Sequence, residues 1–433
     1  MLTAIKEIHA REIITLRGHP GIEATIITES GHSGSAVCTA GTSVGSHEIV
    51  FEYDEDPNRY MGKGVTKAVA IINDEVSKIL KGVDSTNQSL CDNILLTHRD
   101  CDGKALGGNI TGAVSAAILK AGAESLGIPL YRHLGGNSAV TLPAAAYGAI
   151  GGGKRFCFDS RSGSKPSYSF IAYDFPTFKD AMGALWNVHD HFCNVMESRF
   201  GLRPTKGGKD RTADGFFSVC KDMVSKESEL WDIMAGSISA CGYDNRVGLQ
   251  ADLASDCYYD HENKLYRGLF DNNIRTYEEF YQEIIKMVRD YPFVILEDPL
   301  NEDDYEGHAR LTKDLDIQIV GDDLFTTNTQ RVTEGIRRNA ANTVLLKVNQ
   351  IGTISQSLEM IQLAYENGYG IMPCGSRGEG MSIVDYCVGV NATCVRESCL
   401  GFGGTRFLEI EKELGDSARF LGKQSLKGRR FQK

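Results

Sequence analysis

A chain of 433 residues has room for two domains, and its 42% hydrophobic and 24% charged residues are ordinary for a globular protein. The formal charge of −11 argues against a nucleic-acid partner, and no run approaches the roughly 18 uninterrupted apolar residues of a membrane-spanning helix. Twelve cysteines without a Cys-x-x-Cys pair fit reduced thiols and a cytoplasmic location better than a disulfide framework. The opening MLTAIKEIHARE lacks the apolar core of a secretory signal, and the basic end KGRRFQK (427–433) reads as a solvated terminus.

In chain order, positions 4–12, 21–28 and 35–38 alternate apolar and polar residues as antiparallel strands do, punctuated by Gly18, Pro20, Gly31 and Gly34. A loop of small residues, TAGTSVGSHE (39–48), follows. Its glycines would let the backbone approach a ligand and its hydroxyls suit an anion or metal ion, although a mobile loop has the same composition. Helical periodicity over 64–82 ends at Gly82, and 109–127 reads as a buried, Ala-rich helix with Asn109 as its N-cap. Strands followed by helices make a small α+β domain, bounded here at 1–138, with a second domain over 139–433.

The second domain opens with an expected strand over 142–150, then Gly151-Gly152-Gly153-Lys154-Arg155 and a polar stretch to about 167. Residues 178–200 read as a helix; His189 and His191 lie two apart on it and face different sides, which argues against a metal pair. After a second glycine-rich loop (201–216), strands and helices alternate to about 414, the pattern of a βα-barrel. Its strand ends carry charge. VGLQADLA ends around Asp252, FVILEDPL carries Glu297, IQIVGDDL carries Asp322 and TVLLKVNQ carries Lys347. Barrel enzymes place their reactive groups at these ends. Three carboxylates suit Mg²⁺, a hard cation that takes oxygen ligands, with barrel salt bridges as the plain alternative. Lys347 is flanked by Leu345, Leu346 and Val348. Burial and a nearby cation are expected to depress its pKa and make it a neutral base. A metal beside a lysine suits removal of a proton α to a carboxylate.

Eight further stretches carry a resemblance: AREIITLRGHP (10–20), GTSVGSHE (41–48), RYMGKGVTKAV (59–69), LGIPLYRHLGG (126–136), LEDPLNEDDYEG (296–307), IVGDDLFTTNT (319–329), LLKVNQIGT (345–353) and LEIEKEL (408–414). Together they resemble the enolase family across nearly the whole chain. The resemblance implies an α/β protein, an enolase-type (β/α)8 TIM-like barrel that begins ββαα, preceded by the small α+β capping domain. It also implies a homodimer or higher homo-oligomer and two Mg²⁺ ions. By matching motif it assigns the first metal to Asp252, Glu297 and Asp322 and the base to Lys347. Ser43 falls to the second metal and to substrate binding as its loop closes.

Departures from the family pattern cluster at the site. Where enolases have Asn-Gly-Gly-Ser-His, this chain has Gly151-Gly152-Gly153-Lys154-Arg155; where they have Gln-Glu-Phe, it has Tyr168-Ser169-Phe170. The Gly-Asp-Glu-Gly-Gly motif is unrecognisable in 205–216, with Asp210 and Asp214 nearby. Ser-His-Arg-Ser becomes Cys374-Gly375-Ser376-Arg377, and Arg396 in CVRES is the best candidate for the late-strand lysine. The half of the site that makes an enolate is kept, and the glutamate pair that adds or expels hydroxide is lost. The expectation is therefore a divergent paralogue: a Mg²⁺-dependent, lyase- or hydratase-like enzyme acting through Lys347. Its substrate would be a small multi-anionic acid (phosphorylated, phosphonylated or dicarboxylic) clamped by Arg155, Arg377 and Arg396. A glycolytic enolase acting on 2-phosphoglycerate and a non-catalytic enolase-fold binding or structural protein are the alternatives.

Overall fold

The computed structural model describes residues 1–15, 18–41, 44–99, 103–158, 165–202 and 216–431. The N-terminal alternation becomes an antiparallel meander of β1 (Ile5–Ile14), β2 (Pro20–Thr28) and β3 (Ser33–Cys38), in that order. Their inward residues, among them Ile5, Ile22, Ile26 and Cys38, share a core with the first three of the helices that follow, while Tyr131 of the fourth joins the core of the second domain. The four helices are α1 (Thr66–Ile71), α2 (Gln88–Thr97), α3 (Gly108–Leu126) and α4 (Leu130–Gly135). The helix expected over 64–82 is interrupted, because α1 passes into a π turn over Ile72–Val76 before it ends.

The Ala-rich α3 is buried along most of its length. It lies so close to β3 that a Cβ on Gly34 would meet the Ala121 backbone nitrogen at 2.2 Å. Asn109 is not its N-cap. The extended residue before the helix is Gly107, and the Asn109 amide instead accepts from Glu52 N–H (2.9 Å) and donates to Glu52 C=O (2.8 Å). That pair fastens the segment after the small-residue loop to the most buried helix of the domain.

The second domain begins with β4 (Ala145–Ile150), β5 (Ser167–Ala172), α5 (Phe178–Phe200), α6 (Ser228–Ala240) and β6 (Val247–Asp252). Both β4–β5 and β5–β6 are antiparallel, giving the expected ββαα opening. Parallel units follow: α7 (Tyr277–Asp290), β7 (Phe293–Glu297), α8 (Tyr305–Asp314), β8 (Gln318–Gly321), α9 (Thr329–Arg338), β9 (Thr343–Leu346), α10 (Ile354–Glu366) and β10 (Gly370–Pro373). The seven strands form one sheet in the order β4 to β10. Residues 393–396 close the ring, with bridges from Cys394 to Ala144 and from Arg396 to Cys374. Then α11 (Ser382–Gly389) and α12 (Phe402–Leu414) pack outside.

Strand β5 shows how side chains are sorted. Tyr168 meets Trp231 of α6 and Phe170 meets Phe192 of α5, so the aromatic rings face the outer helices. With a two-residue repeat, Ser167 and Ser169 face the barrel interior. The capping domain docks at the strand-end mouth: Thr39 N–H donates to Arg377 C=O (3.1 Å) and Ile49 N–H to Gln350 C=O (3.0 Å).

Arg155 follows β4 and is fully buried. Its Nε donates to Glu227 Oε1 (2.6 Å) and its two terminal nitrogens to Glu227 Oε2 and to the carbonyls of Gly152, Val219 and Pro166. All five N–H groups are thereby satisfied. Removing only one member of a buried pair strands the other's charge, at a cost of about 3–5 kcal/mol. Arg155→Met should lose stability on that scale in urea unfolding, and adding Glu227→Gln should recover part of it. A loss under about 1 kcal/mol in the single variant would show that the brace carries little.

Candidate active site

Geometry of parallel strands brings the charged strand ends together. Asp252 and Glu297 are the last residues of β6 and β7 and lie opposite one another in register. Asp322 and Lys347 each come one residue after β8 and β9. All four are buried, between 1% and 7% exposed. Charges so withdrawn from water need counter-charges.

Arg396, at the end of the ring-closing segment, supplies one. Its Nη2 donates to Asp252 Oδ2 (2.6 Å) and Ser167 Oγ (3.0 Å) and lies 3.0 Å from Glu397 Oε1. Its Nε is 2.8 Å from Glu297 Oε2, an ion-pair distance without hydrogen-bond alignment. Lys165 Nζ also meets Asp252. Lys347 Nζ meets Asp322 Oδ2, whose other oxygen accepts from Gln350 Nε2 (2.8 Å). A second tier shapes the turn after β8: Asp298 accepts from the N–H groups of Asp322 (3.0 Å) and Asp323 (2.7 Å). Carboxylate oxygens of Asp298, Asp322 and Asp323 all lie within 4.8 Å of one another.

These contacts set the proton affinities. Burial alone would lower Lys347, but the Asp322 carboxylate outweighs it and holds the amine above its ordinary value. The expected depression is thus corrected: the apolar neighbours of Lys347 in sequence are not what its ammonium touches. Burial would raise Asp322, yet Lys347 outweighs burial and keeps this carboxyl below its ordinary 3.8. Asp323 has burial and the Asp322 charge acting together and is pushed up to about 8.

The three arginines diverge. Arg377 follows β10, 1% exposed, with its terminal nitrogens forked onto Glu48 (Nη1–Oε2 2.6 Å). The Nε of Arg377, like that of Arg396, is buried without a hydrogen-bond acceptor among the described residues. Arg155 has no donor left, so its expected place in a substrate clamp gives way to the brace with Glu227. Ser43, Asp210 and Asp214 lie outside the described residues.

Asp252, Glu297 and Asp322 are oxygen donors at three adjacent strand ends, the donor chemistry a hard divalent cation takes, but Glu297 Oε2 faces Arg396 Nε at 2.8 Å and the carboxylates that converge within 4.8 Å are those of Asp298, Asp322 and Asp323. Comparison with known proteins decides the family. The description "Enolase, N-terminal domain" matches residues 5–134 and "Enolase, C-terminal TIM barrel domain" matches 165–429. The chain belongs to the enolase family. It is 34% identical over 424 residues to the enolase of Methanocaldococcus jannaschii, covering 95% of this chain and 96% of the relative. The enolase of Bifidobacterium animalis subsp. lactis is 34% identical over 438 residues, covering 98% and 99%. That of Methanosarcina barkeri is 33% identical over 427 residues, covering 96% of each. This enolase-family chain is accordingly a carbon–oxygen lyase or a related enolate-forming enzyme of the superfamily, and enolases generally depend on magnesium.

Several groups at this enolase mouth escaped the sequence. Lys165 sits in a stretch without periodicity, and Glu397 is one more charge beside Arg396. Glu48 lies in the small-residue loop. Asp298 and Asp323 directly follow two of the strand-end acids, a doubling that is a usable signal.

The Lys347–Asp322 pair yields a pH signature. Because Asp322 lies below its ordinary value in the fold, its contribution is present above about pH 4 and is lost as pH falls through the lower folded value. Lys347→Met should destabilise the metal-free protein by about 3–5 kcal/mol at neutral pH. In urea titrations, that difference from wild type should shrink on acidification below about pH 4; a difference independent of pH would rule out the pair as its source.

Proposed function

We propose that this chain removes the proton α to the carboxylate of a small multi-anionic acid, with Lys347 as base and Mg²⁺ held by Asp252, Glu297 and Asp322. The observation that carries this reading is the burial of these four groups together at consecutive strand ends, with the Lys347 ammonium on a carboxylate of the ligand set. A cation on Asp322 would compete with Lys347 for that carboxylate, and burial would then weigh more heavily on the amine and lower its proton affinity. When bound, Mg²⁺ supplies electrostatic stabilisation of the enolate charge.

Arg377 and Arg396 are the proposed clamps for the anionic groups: Arg377 keeps a buried Nε–H without an acceptor among the described residues, whereas the Nε of Arg396 faces Glu297 at 2.8 Å and would have to exchange it for the substrate. The substrate must compete with Glu48 for Arg377. Ser43, on the loop that ends in the mouth contacts of residues 44–49, is proposed to complete a second metal position and the substrate contacts. Phosphorylated, phosphonylated and dicarboxylic acids all satisfy this charge pattern. We assign the protein to the cytoplasm as a homodimer or higher homo-oligomer. A net charge of −11 supports the absence of a nucleic-acid partner, and no single described helix is long and apolar enough to cross a membrane.

Ordinary enolase activity on 2-phosphoglycerate is the second reading, favoured by identity of 33–34% to enolases over nearly the whole chain. Its substrate belongs to the same chemical class. Exchange of the α-proton in D₂O, followed by NMR on a panel containing 2-phosphoglycerate and malate, tests the base. Exchange should require Mg²⁺ and fall by about 10²–10⁴ in Lys347→Ala. No lysine-dependent exchange with any member would overturn the reading, and conversion of 2-phosphoglycerate to phosphoenolpyruvate would favour the ordinary enolase.

A further inference from the structure

We propose that Lys165 is a specificity-determining residue: its amine occupies Asp252 in the free protein and passes to an anionic group of the substrate when a divalent cation binds Asp252, so that cation and acid bind cooperatively. This rests on Asp252 being a metal ligand. Lys165 Nζ meets Asp252 Oδ2, the same oxygen that accepts from Arg396 Nη2 at 2.6 Å. Two basic groups of the chain therefore already stand on one carboxylate oxygen at the mouth. A hard cation drawn to that carboxylate has to share it with both, and like charges at contact repel.

The placement of Lys165 follows from strand direction. Strand β5 runs antiparallel to β6, so its first residue, Ser167, lies opposite Asp252 and the residues just before it come out at the mouth. The backbone there is held by two buried donors: Lys165 C=O accepts from the Tyr258 hydroxyl (2.8 Å) and Pro166 C=O from Arg155 Nη2 (3.2 Å). The four-carbon stem is then the adaptable part, and it ends in rotatable donors. Burial and the Arg396 charge draw the amine below its ordinary value, but it keeps N–H groups to donate in either form, so its seat on Asp252 does not depend on its charge.

The two basic groups differ in how firmly they are committed. Arg396 is 6% exposed and reaches Asp252, Ser167, Glu297 and Glu397 at once. Lys165 is 12% exposed and meets Asp252 from a flexible stem, so it is the one a cation displaces. Its departure leaves Asp252 still paired with Arg396, and no carboxylate is stranded. The displaced amine does need a new acceptor, because a buried donor without one is costly. An anionic oxygen of a substrate lying beside the cation supplies it, and an amine serves carboxylate and phosphate alike as a point donor. Cation and acid thus favour one another, and by linkage each raises the other's affinity by the same factor. The acid that gains is one with a second anionic group to spare for Lys165, such as malate or 2-phosphoglycerate, over a monocarboxylate such as lactate.

Binding of Mn²⁺ to the full chain, read from loss of the free-ion EPR signal, tests this independently of turnover. Without an acid, Lys165→Met should bind Mn²⁺ about tenfold more tightly than wild type. Saturating malate or 2-phosphoglycerate should tighten wild-type binding by about tenfold, counted on free Mn²⁺, while lactate should change it by less than about threefold. In Lys165→Met the gain from malate should shrink to less than about threefold. Lys165→Gln, which keeps an N–H donor on a shorter stem, should lie between the two in both readings, and it carries the test if Lys165→Met does not fold. Variants that bind Mn²⁺ no more tightly than wild type overturn the assignment, as does a malate gain that persists in them. Mn²⁺ binding indifferent to Asp252→Asn overturns the ligand set and this reading with it, whereas binding that requires Asp252 but ignores Lys165 overturns this one alone.

Discussion

Burying carboxylates at the ends of adjacent strands is the constraint on which this mouth is built. Asp252, Glu297 and Asp322 are within a few percent of complete burial, and each ionised group in such surroundings costs several kcal/mol unless paired. Arg396 and Lys165 meet the first two acids and Lys347 meets the third. Arg396 sits on the segment that closes the ring, so barrel closure and charge neutralisation come from the same few residues. Basic side chains act here as internal counter-ions among the strand-end carboxylates, and the proton affinity of Lys347 is tied to the charge on Asp322.

The same constraint links the capping domain to the site. Glu48 and Arg377 are both buried, and neither would be stable alone. Their fork brings the end of the small-residue loop against the residue that follows β10, while Gln350 lies between Glu48 and Asp322. A loop from one domain thereby contacts the charge balance of the other. Ser46 and His47 add contacts to Glu302 and Asp303 after β7.

Three arginines that look equivalent in sequence meet three different fates. Arg155 is saturated by Glu227 and three carbonyls; Arg377 retains an unmatched Nε–H among the described residues, and the Nε of Arg396 faces Glu297 at 2.8 Å. Residue type predicts an affinity for carboxylates in each case. Whether that carboxylate is a protein brace or leaves a donor for a ligand depends on which wall the loop faces. Glu397 likewise finds its partner far along the chain, accepting from Ser169 Oγ across 228 residues.

Alternation and strand-helix periodicity made the meander and the positions of Asp252, Glu297, Asp322 and Lys347 legible, because each depends on patterns within a few residues, whereas the ββαα opening was implied by the family resemblance. The chain's own motifs also revealed its family. What sequence could not decide was pairing. The direction of the Lys347 shift was misjudged because local neighbours are apolar while the effective neighbour is 25 residues away. Asn109 looked like a cap because its true partner, Glu52, lies 57 residues earlier. Coulombic and hydrogen-bonding energies fall off over a few ångströms of space, not of sequence. The chemical types at the strand ends were therefore determined by the chain, and the partner that sets the charge and reach of each was decided only by ring closure and domain docking.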